Sequence, residues 1–295
     1  VTVSYWSSVQ LAGMLGGLSG RYPVTVVDNA ERVDVDTRRV CAGHRYIAIG
    51  RNAGFGYACN VGARESASAY LLFLNPDCRA DPSTIDGLIS VLEEWPDAAA
   101  CAPRLGRRQI YGGATPGLLS ALGYLLLPDV LLGSRCVWAT ATRACVPIAV
   151  GWASGACLLV RRTAFDAIGG FRPDLFLYNE DLDLSDRLRA NGWRVLIDPR
   201  LLVNHAGAQS SAATVDTANL WSRSTHRYLG RSFRSTVVAA ILAGGMWRRH
   251  LVALARGRRG ATFAPQFTAQ LVRRRTTTDP VDDPPESCPS TACDG

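Results

Sequence analysis

The chain contains no lysine: all 32 of its basic residues are arginine. A uniform preference of that kind marks a GC-rich coding genome and carries no functional message. Nine cysteines form no Cys-x-x-Cys pair and no Cys/His zinc spacing. Their odd number and scatter suit reduced thiols in a cytosolic protein. The first residues lack a basic stretch followed by an apolar one, so no secretory signal is expected. The longest charge-free apolar stretch near the C-terminus, 235–247, would span about 20 Å as a helix against a bilayer core of about 30 Å, and is not expected to cross a membrane alone. With 47% apolar and 19% charged residues and a mean hydropathy of +0.05, the chain is neither polar and disordered nor a polytopic membrane protein. Its 295 residues suffice for one large domain or two ordinary ones.

The net charge of +7 is unevenly placed. Residues 1–217 balance 20 Arg against 20 acids, 218–278 hold 12 Arg and no acid, and 279–295 hold five acids and no base. The sequence therefore divides into a neutral domain at 1–214, an Arg-rich helical region at 215–275 and an acidic, Pro-rich tail at 276–295 that is expected to be disordered. In the second region Arg223, Arg227, Arg231 and Arg234 recur at helical spacing around an apolar VVAAILAGGMW. Such a region suits an anionic membrane surface, each Arg near it being worth about 1 kcal/mol. A nucleic acid would also suit twelve arginines, but the apolar core and the lack of a helix-turn-helix or RNA-recognition signature argue against it.

The first 100 residues alternate β-branched runs (1–5, 24–28, 46–49, 70–75) with helical stretches (9–19, 56–68, 82–94), the last with Asp81 as N-cap and Pro82 at N1. This is the βαβ pattern of an α/β fold. Residues 104–147 weaken into a Gly, Leu and Pro-rich stretch that reads as a buried helix or an apolar loop over a site. A strand at 156–160, a helix from 179 or 180 that ends at Gly192, and two strands at 193–199 and 201–205 complete the domain.

Open α/β sheets bind ligands beyond the carboxyl ends of their strands, so the residues there matter most. Asp28 and Asn29 end one strand, where a carboxylate either accepts from a base or ribose or caps a turn. The stretch 52–62, NAGFGYACNVG, is glycine-rich but matches neither GxGxxG nor the Walker pattern. Asn75-Pro76-Asp77 follows YLLFL and sets one carboxylate at the end of a central strand. A hard cation bridging two phosphates takes only one or two protein carboxylates. His205, at the end of LLVNH, is a candidate second ligand or a structural histidine. Glu180 and Asp181 fall in the first turn of a helix, where acids complement the dipole or where one of them serves as a general base.

The order and spacing of VDNA (27–30), NAGFGYACNVG (52–62), FLNPD (73–77), GWASGACLLVRRTAFDAIGGF (151–171), YNEDLDLSDRLRANGW (178–193) and VNHAG (203–207) resemble the family 2 glycosyltransferases. Within that family NPD, SGACLLVRR and the Arg-rich C-terminal region resemble rhamnosyltransferases, notably actinobacterial ones acting on polyprenyl-diphosphate-linked N-acetylglucosamine. The resemblance implies a GT-A fold: a Rossmann-like nucleotide-sugar-binding domain on a mixed, mainly parallel sheet, with amphipathic helices after it. It implies nucleotide-sugar contacts at Asp28, Asn29, Asn52, Gly54, Asn60, Asn75, Asp77 and Gly155, with bulky side chains at Gly155 or Ala156 obstructing sugar or acceptor. It also implies a Mg2+ or Mn2+ ion on Asp77 and His205. Asp181 would be the base, Glu180 its neighbour in acceptor binding and Asp183 a structural support. The implied partners are a nucleotide-diphosphate sugar, dTDP-rhamnose first, a polyprenyl-diphosphate-linked glycan and the cytoplasmic face of the cell membrane, with no nucleic acid expected. Another nucleotide sugar, a non-lipid acceptor, or sugar binding without catalysis are the alternatives. Arg172 stands after GGF where an acid is usual, with Asp174 two residues on, and Tyr5-Trp6 replaces the common Tyr-Asn.

Overall fold

The computed structural model describes residues 1–18, 20–106, 109–139, 144–206, 217–230 and 233–255, and beyond them 264, 265, 267–269 and 272. The expected acidic tail lies outside the described residues, as does Arg231.

The N-terminal half follows the expected alternation: β1 (Thr2–Ser4), α1 (Ser8–Gly17), β2 (Thr25–Asp28), α2 (Val35–Val40), β3 (Arg45–Ala48), α3 (Phe55–Arg64) and β4 (Tyr70–Leu74). β1, β2 and β3 pair in parallel with Val3, Val27 and Ile47 in register. Val1 extends this sheet to β4, its N donating to Leu72 O at 2.8 Å and its carbonyl accepting from Leu74 N at 3.1 Å. The carboxyl ends of four parallel strands thereby share one edge. The short α2 has no counterpart in the sequence reading; its start is set by Asp34, whose side chain accepts from Asp36 N and Thr37 N.

The second half comprises β5 (Cys78–Arg79), α4 (Pro82–Glu94), β6 (Ala98–Leu105), β7 (Gly112–Gly113), α5 (Leu118–Leu126), α6 (Asp129–Leu132), β8 (Ile148–Val150), β9 (Trp152–Ala153), β10 (Cys157–Arg161), α7 (Arg162–Ala167), α8 (Glu180–Ala190) and β11 (Arg194–His205). β10 runs antiparallel between β4 and β6, and β6 is parallel to β11, so the sheet is mixed and its parallel character lies mainly in the first half. The two strands expected at 193–199 and 201–205 are one strand with an irregularity between Asp198 and Leu202. Pro199 cannot donate to the ladder there, and buried Asp198 accepts from the Arg200 main chain and guanidinium. Past this bend β11 leaves its pairing with β8 and pairs with β5 instead, setting His205 opposite Cys78.

The 104–147 stretch contains a helix, α5, but it is not a buried one: Ala121 and Tyr124 are covered while Leu119 and Leu126 face outward. Beyond the sheet domain lie α9 (Thr217–Leu229) and α10 (Phe233–Ala255). The expected single arginine stripe is broken between them, with Gly230 at φ +79°. At 23 residues α10 is about 34 Å long. It runs well past the stretch read from the sequence, and by length and composition it could cross a membrane, yet a third of its apolar window is buried in the protein. Val238, Leu242 and Met246 form that buried face, and Gly245 packs on the Tyr124 ring of α5.

The core beside the sheet centres on Phe73, Phe165 and Phe171, with ring centroids 5.0 to 5.7 Å apart. Phe73 lies on β4, Phe165 on α7, and Phe171 starts the loop that leads to α8. Phe73→Ala should cost about 3–5 kcal/mol of unfolding free energy, measured by denaturant titration, because the edge-to-face contacts leave little room for collapse.

Candidate active site

Three loops at the carboxyl edge are tied to one another. Asn29 donates to Asn52 Oδ1 at 3.0 Å and accepts from Ala53 N at 2.9 Å, linking the end of β2 to the end of β3. Asn52 Oδ1 also accepts from Gly54 N. Gly54 has φ +87°, and a Cβ on it would stand 2.5 Å from Phe176 O, so neither conformation nor space admits a side chain. Asp28 is 1% exposed. One of its oxygens accepts from Ala30 N and the other from Asp34 N and Tyr46 OH. Its carboxylate is fully engaged in shaping the 29–34 turn.

Asn60 is not brought to this edge. Its amide donates to Phe171 O at 2.8 Å and accepts from Phe171 N at 2.9 Å, clamping the Gly169-Gly170-Phe171 turn. A sugar contact through Asn60 would have to form alongside this clamp, since each polar atom of the amide already bonds main chain.

Asp77 and His205 do come together. The β5–β11 pairing places His205 Nε2 3.3 Å from Asp77 Oδ1, and ligating atoms of Asp77, Cys78 and His205 lie within 4.8 Å of one another. Asp77 Oδ1 and the side-chain oxygen of Asn75 are buried without a hydrogen-bond partner. Buried acceptors of this kind call for a donor or a cation. The Cys78 thiol instead bonds to Ala156 O at 3.2 Å. Two oxygen acceptors and an imidazole fit a hard divalent ion in the Mg2+ or Mn2+ class. The cleft beside them, about 330 Å³, is bounded by Val9, Gln10, Asp77, Arg79, Asn204 and His205. Sequence reading passed over Arg79. Its guanidinium donates to Gln10 O and fills the space that Gly13 leaves by lacking a Cβ, and the only trace of this in the sequence is a basic residue two positions after Asp77.

Glu180 and Asp181 begin α8, as expected. Asp181 accepts from Gly155 N at 3.0 Å and Leu182 N at 2.8 Å. A methyl group on Gly155 would touch Asp181 Cβ at 3.4 Å, and a larger side chain would reach its carboxylate. Burial raises the Asp181 pKa above the ordinary carboxylate value, opposed by the N–H groups of Gly155 and Leu182. Burial, reinforced by the neighbouring Asp181 charge, drives Glu180 much further up, and one Glu180 oxygen has no partner. Both carboxyls are thus pushed above the ordinary range, Glu180 by burial and its neighbour's charge, while two main-chain N–H groups support the Asp181 anion.

The segment before α8 is held under strain. Tyr178 and Asn179 have φ of +69° and +65°, and Trp6, after β1, has +51°. Left-handed non-glycine residues cost about 1–3 kcal/mol each and concentrate at functional sites. The α9 helix keeps this segment in place: Ser224 Oγ donates to Leu177 O, Asn179 donates to Thr225 Oγ1, and Arg227 donates to Asp174 O. Arg172 pairs with Asp174 through two bonds and with Asp183, which Arg187 also engages. The unusual arginine after GGF is therefore neutralised within its own loop.

Main chain from one loop joins the two acidic sites. Gly155 N–H donates to Asp181, while Ala156 O accepts from Asn75 N at 2.9 Å and from Cys78 Sγ. The fold is that of a GT-A glycosyltransferase, as the comparisons with known proteins show. The family model "Glycosyl transferase family 2" matches residues 19–169 and "Glycosyl transferase family 21" matches 111–279. The chain belongs to family 2. It is 30% identical to the N-acetylglucosaminyl-diphospho-decaprenol L-rhamnosyltransferase of Mycobacterium tuberculosis, over 85% of this chain and 86% of that one. Rhamnosyltransferase WbbL of Escherichia coli is 26% identical over 71% of this chain and 83% of its own. Among solved structures, GalNAc-T7 with UDP, GalNAc and Mn2+ superposes at a TM-score of 0.57, with 13% identity, covering 95% of this chain and 57% of that one. The Pyrobaculum calidifontis mannosyltransferase PcManGT with GDP-Man and Mn2+ gives 0.55, with 14% identity, covering 94% and 79%.

The clamp on Phe171 separates a structural asparagine from a ligand-binding one. Asn60→Ala should lower unfolding free energy by about 1–3 kcal/mol, since it strands main-chain groups of Phe171, while calorimetry finds the nucleotide-sugar Kd changed by less than about threefold. A loss of donor affinity without loss of stability would return Asn60 to the sugar site.

Proposed function

We propose that the protein is an inverting glycosyltransferase that moves a sugar, L-rhamnose from dTDP-rhamnose first among the donors, onto a hydroxyl of a polyprenyl-diphosphate-linked N-acetylglucosamine at the cytoplasmic face of the cell membrane. The observation that carries this reading is the 154–156 loop, which spaces a half-buried carboxylate from a cleft fit for a cation and a diphosphate. The similarity to the mycobacterial rhamnosyltransferase, over most of both chains, supports the donor and acceptor classes.

Asn29, Asn52 and Gly54 form the edge that receives the nucleotide, with Asp28 holding the turn beside it. Asp77 and His205, with Asn75 near them, would hold a divalent cation, which when bound neutralises charge on the departing diphosphate. Arg79 adds a fixed positive charge in the same cleft. On the other side of the loop Asp181 takes the proton from the acceptor hydroxyl. The oxygen then forms its bond to the anomeric carbon as the carbon–phosphate-oxygen bond breaks, the nucleoside diphosphate leaves with the electron pair, and the configuration inverts. Protonated Glu180 donates to an acceptor oxygen, a role its unpartnered buried oxygen allows.

Three of the described guanidinium groups in the arginine-rich region are engaged within the protein and give a nucleic-acid role no support. Arg227 donates to Asp174 O, and Arg248 and Arg249 donate to main-chain carbonyls of α5.

The deciding experiment supplies the purified protein with membranes and a panel of labelled nucleotide sugars, followed by mass analysis of the lipid product. Label from dTDP-rhamnose should enter the lipid. Transfer from a different sugar alone would overturn the donor and leave the family untouched. Asp181→Asn should lower kcat by about 100 to 10,000-fold, while Glu180→Gln, which mimics the protonated acid, should keep it within about tenfold. The reverse pattern would exchange the two roles. Because Asp181 is raised above the ordinary carboxylate value, the rate should fall as pH drops through a point above about 4, and a flat profile down to that pH would exclude it as base. Chelation should abolish turnover, and added Mg2+ or Mn2+ should restore it.

A further inference from the structure

The arginines drew attention to the C-terminal region, but the structure turns several of them inward and leaves leucines outside. On α5, Leu119 and Leu126 stand seven residues apart on one outer face, 85% and 68% exposed, and Leu131 of α6 is 71% exposed. Arg248 donates to Leu127 O at 2.9 Å, and the Arg249 guanidinium lies over the Tyr124 ring. These contacts lay the end of α10 along the end of α5. Leu251, Val252 and Leu254, within the next two turns of α10, are exposed as well. Exposed apolar side chains gathered from two elements mark an interaction surface.

We propose that this α5–α6–α10 face is where the protein rests on an anionic lipid bilayer, with the leucines inserted at the level of the headgroups. The inference deepens the reading above, since it rests on the acceptor being lipid-linked. Charge selects the occupant. α5 and α6 together contain a single acid, Asp129, and α10 contains none against Arg234, Arg248 and Arg249. Such a face is complementary to an anionic leaflet. A second copy of the chain would oppose two arginine-rich faces, so self-pairing works against like charge. Apolar insertion with flanking guanidinium groups is how an amphipathic helix lies in a membrane interface. It also accounts for an α10 long enough to span a bilayer yet packed along one side against α5.

The test uses the full-length protein and vesicles of phosphatidylglycerol and phosphatidylcholine, with Leu119→Glu, Leu126→Glu and Leu251→Glu combined. The wild type should cosediment with vesicles containing phosphatidylglycerol and much less with phosphatidylcholine alone. The triple variant should bind at least about tenfold more weakly, since three membrane-inserted leucines are replaced by charges that an anionic leaflet repels. Its thermal unfolding should match the wild type, because all three side chains are exposed. Transfer to a short-chain, water-soluble analogue of the lipid acceptor should also be unchanged. A triple variant that sediments like the wild type would overturn the proposal, as would a wild type that remains in the supernatant at low salt. A concentration-dependent dimer abolished by the same substitutions, without vesicle binding, would hand the face to a second copy. Vesicle binding is read without any sugar donor, so an incorrect donor or acceptor shows only in the transfer assay.

Discussion

The carbonyl of Ala156 and the amide of Gly155 belong to neighbouring residues of one loop, and much of the site depends on the different partners they bind. One accepts from Asn75 N and the Cys78 thiol, fixing the strand end that bears Asp77. The other donates to Asp181. Two acidic centres are thereby tied to neighbouring residues of one loop, with the 155–156 peptide plane and the backbone torsions of Gly155 and Ala156 between them. A side chain on Gly155 would lie against Asp181, so the spacing depends on an absent side chain as well as on main-chain bonds. Displacement chemistry needs the acceptor and the leaving group on opposite sides of the anomeric carbon, and a hydrogen-bonded loop between the proposed base and the proposed cation site suits that requirement.

A second constraint follows from placing Glu180 and Asp181 side by side in a region of low dielectric. Both cannot ionise there without a large penalty, so the surroundings choose. Two N–H groups point at Asp181 and none is matched to the free oxygen of Glu180, which favours the charge on Asp181. Holding this arrangement requires two consecutive left-handed residues before α8. That conformation is not self-supporting, and α9 stabilises it through Ser224, Thr225 and Arg227. A helix assigned by composition to a membrane-seeking region is thus also part of the frame around the proposed base.

The sequence was most informative where chemistry and local structure share a signal. The acids at strand and helix ends, the βαβ alternation and the Gly192 stop could all be read, because each rests on a short-range rule. What escaped depends on long-range pairing. The Ala-rich β6 carries little strand propensity and is a strand because β10 and β11 flank it. The two C-terminal strands are one because Asp198 and Arg200 bridge the bend at Pro199. Asn60 sits in a glycine-rich stretch that suggested a ligand loop, and only a contact 111 residues away reveals it as a clamp. The arginine count was correct but said nothing of direction, and direction separates a guanidinium that meets phosphate from one that caps a helix.

The helical layer connects these observations. Tyr124 of α5 meets Trp138, Trp138 meets Trp221 of α9, and Trp221 meets Phe267, in a row of rings with centroids 5.0 to 5.6 Å apart. One end of this row lies beneath the leucine face, and the other reaches the helix that holds residues 174–180. Packed aromatic contacts of this kind resist relative motion and need no second conformation to act. A bilayer bound at the leucine face would therefore fix the orientation of the base with respect to the membrane plane. For an acceptor anchored in that plane, orientation is a large part of what binding must supply, and here the fold would provide it before the substrate arrives.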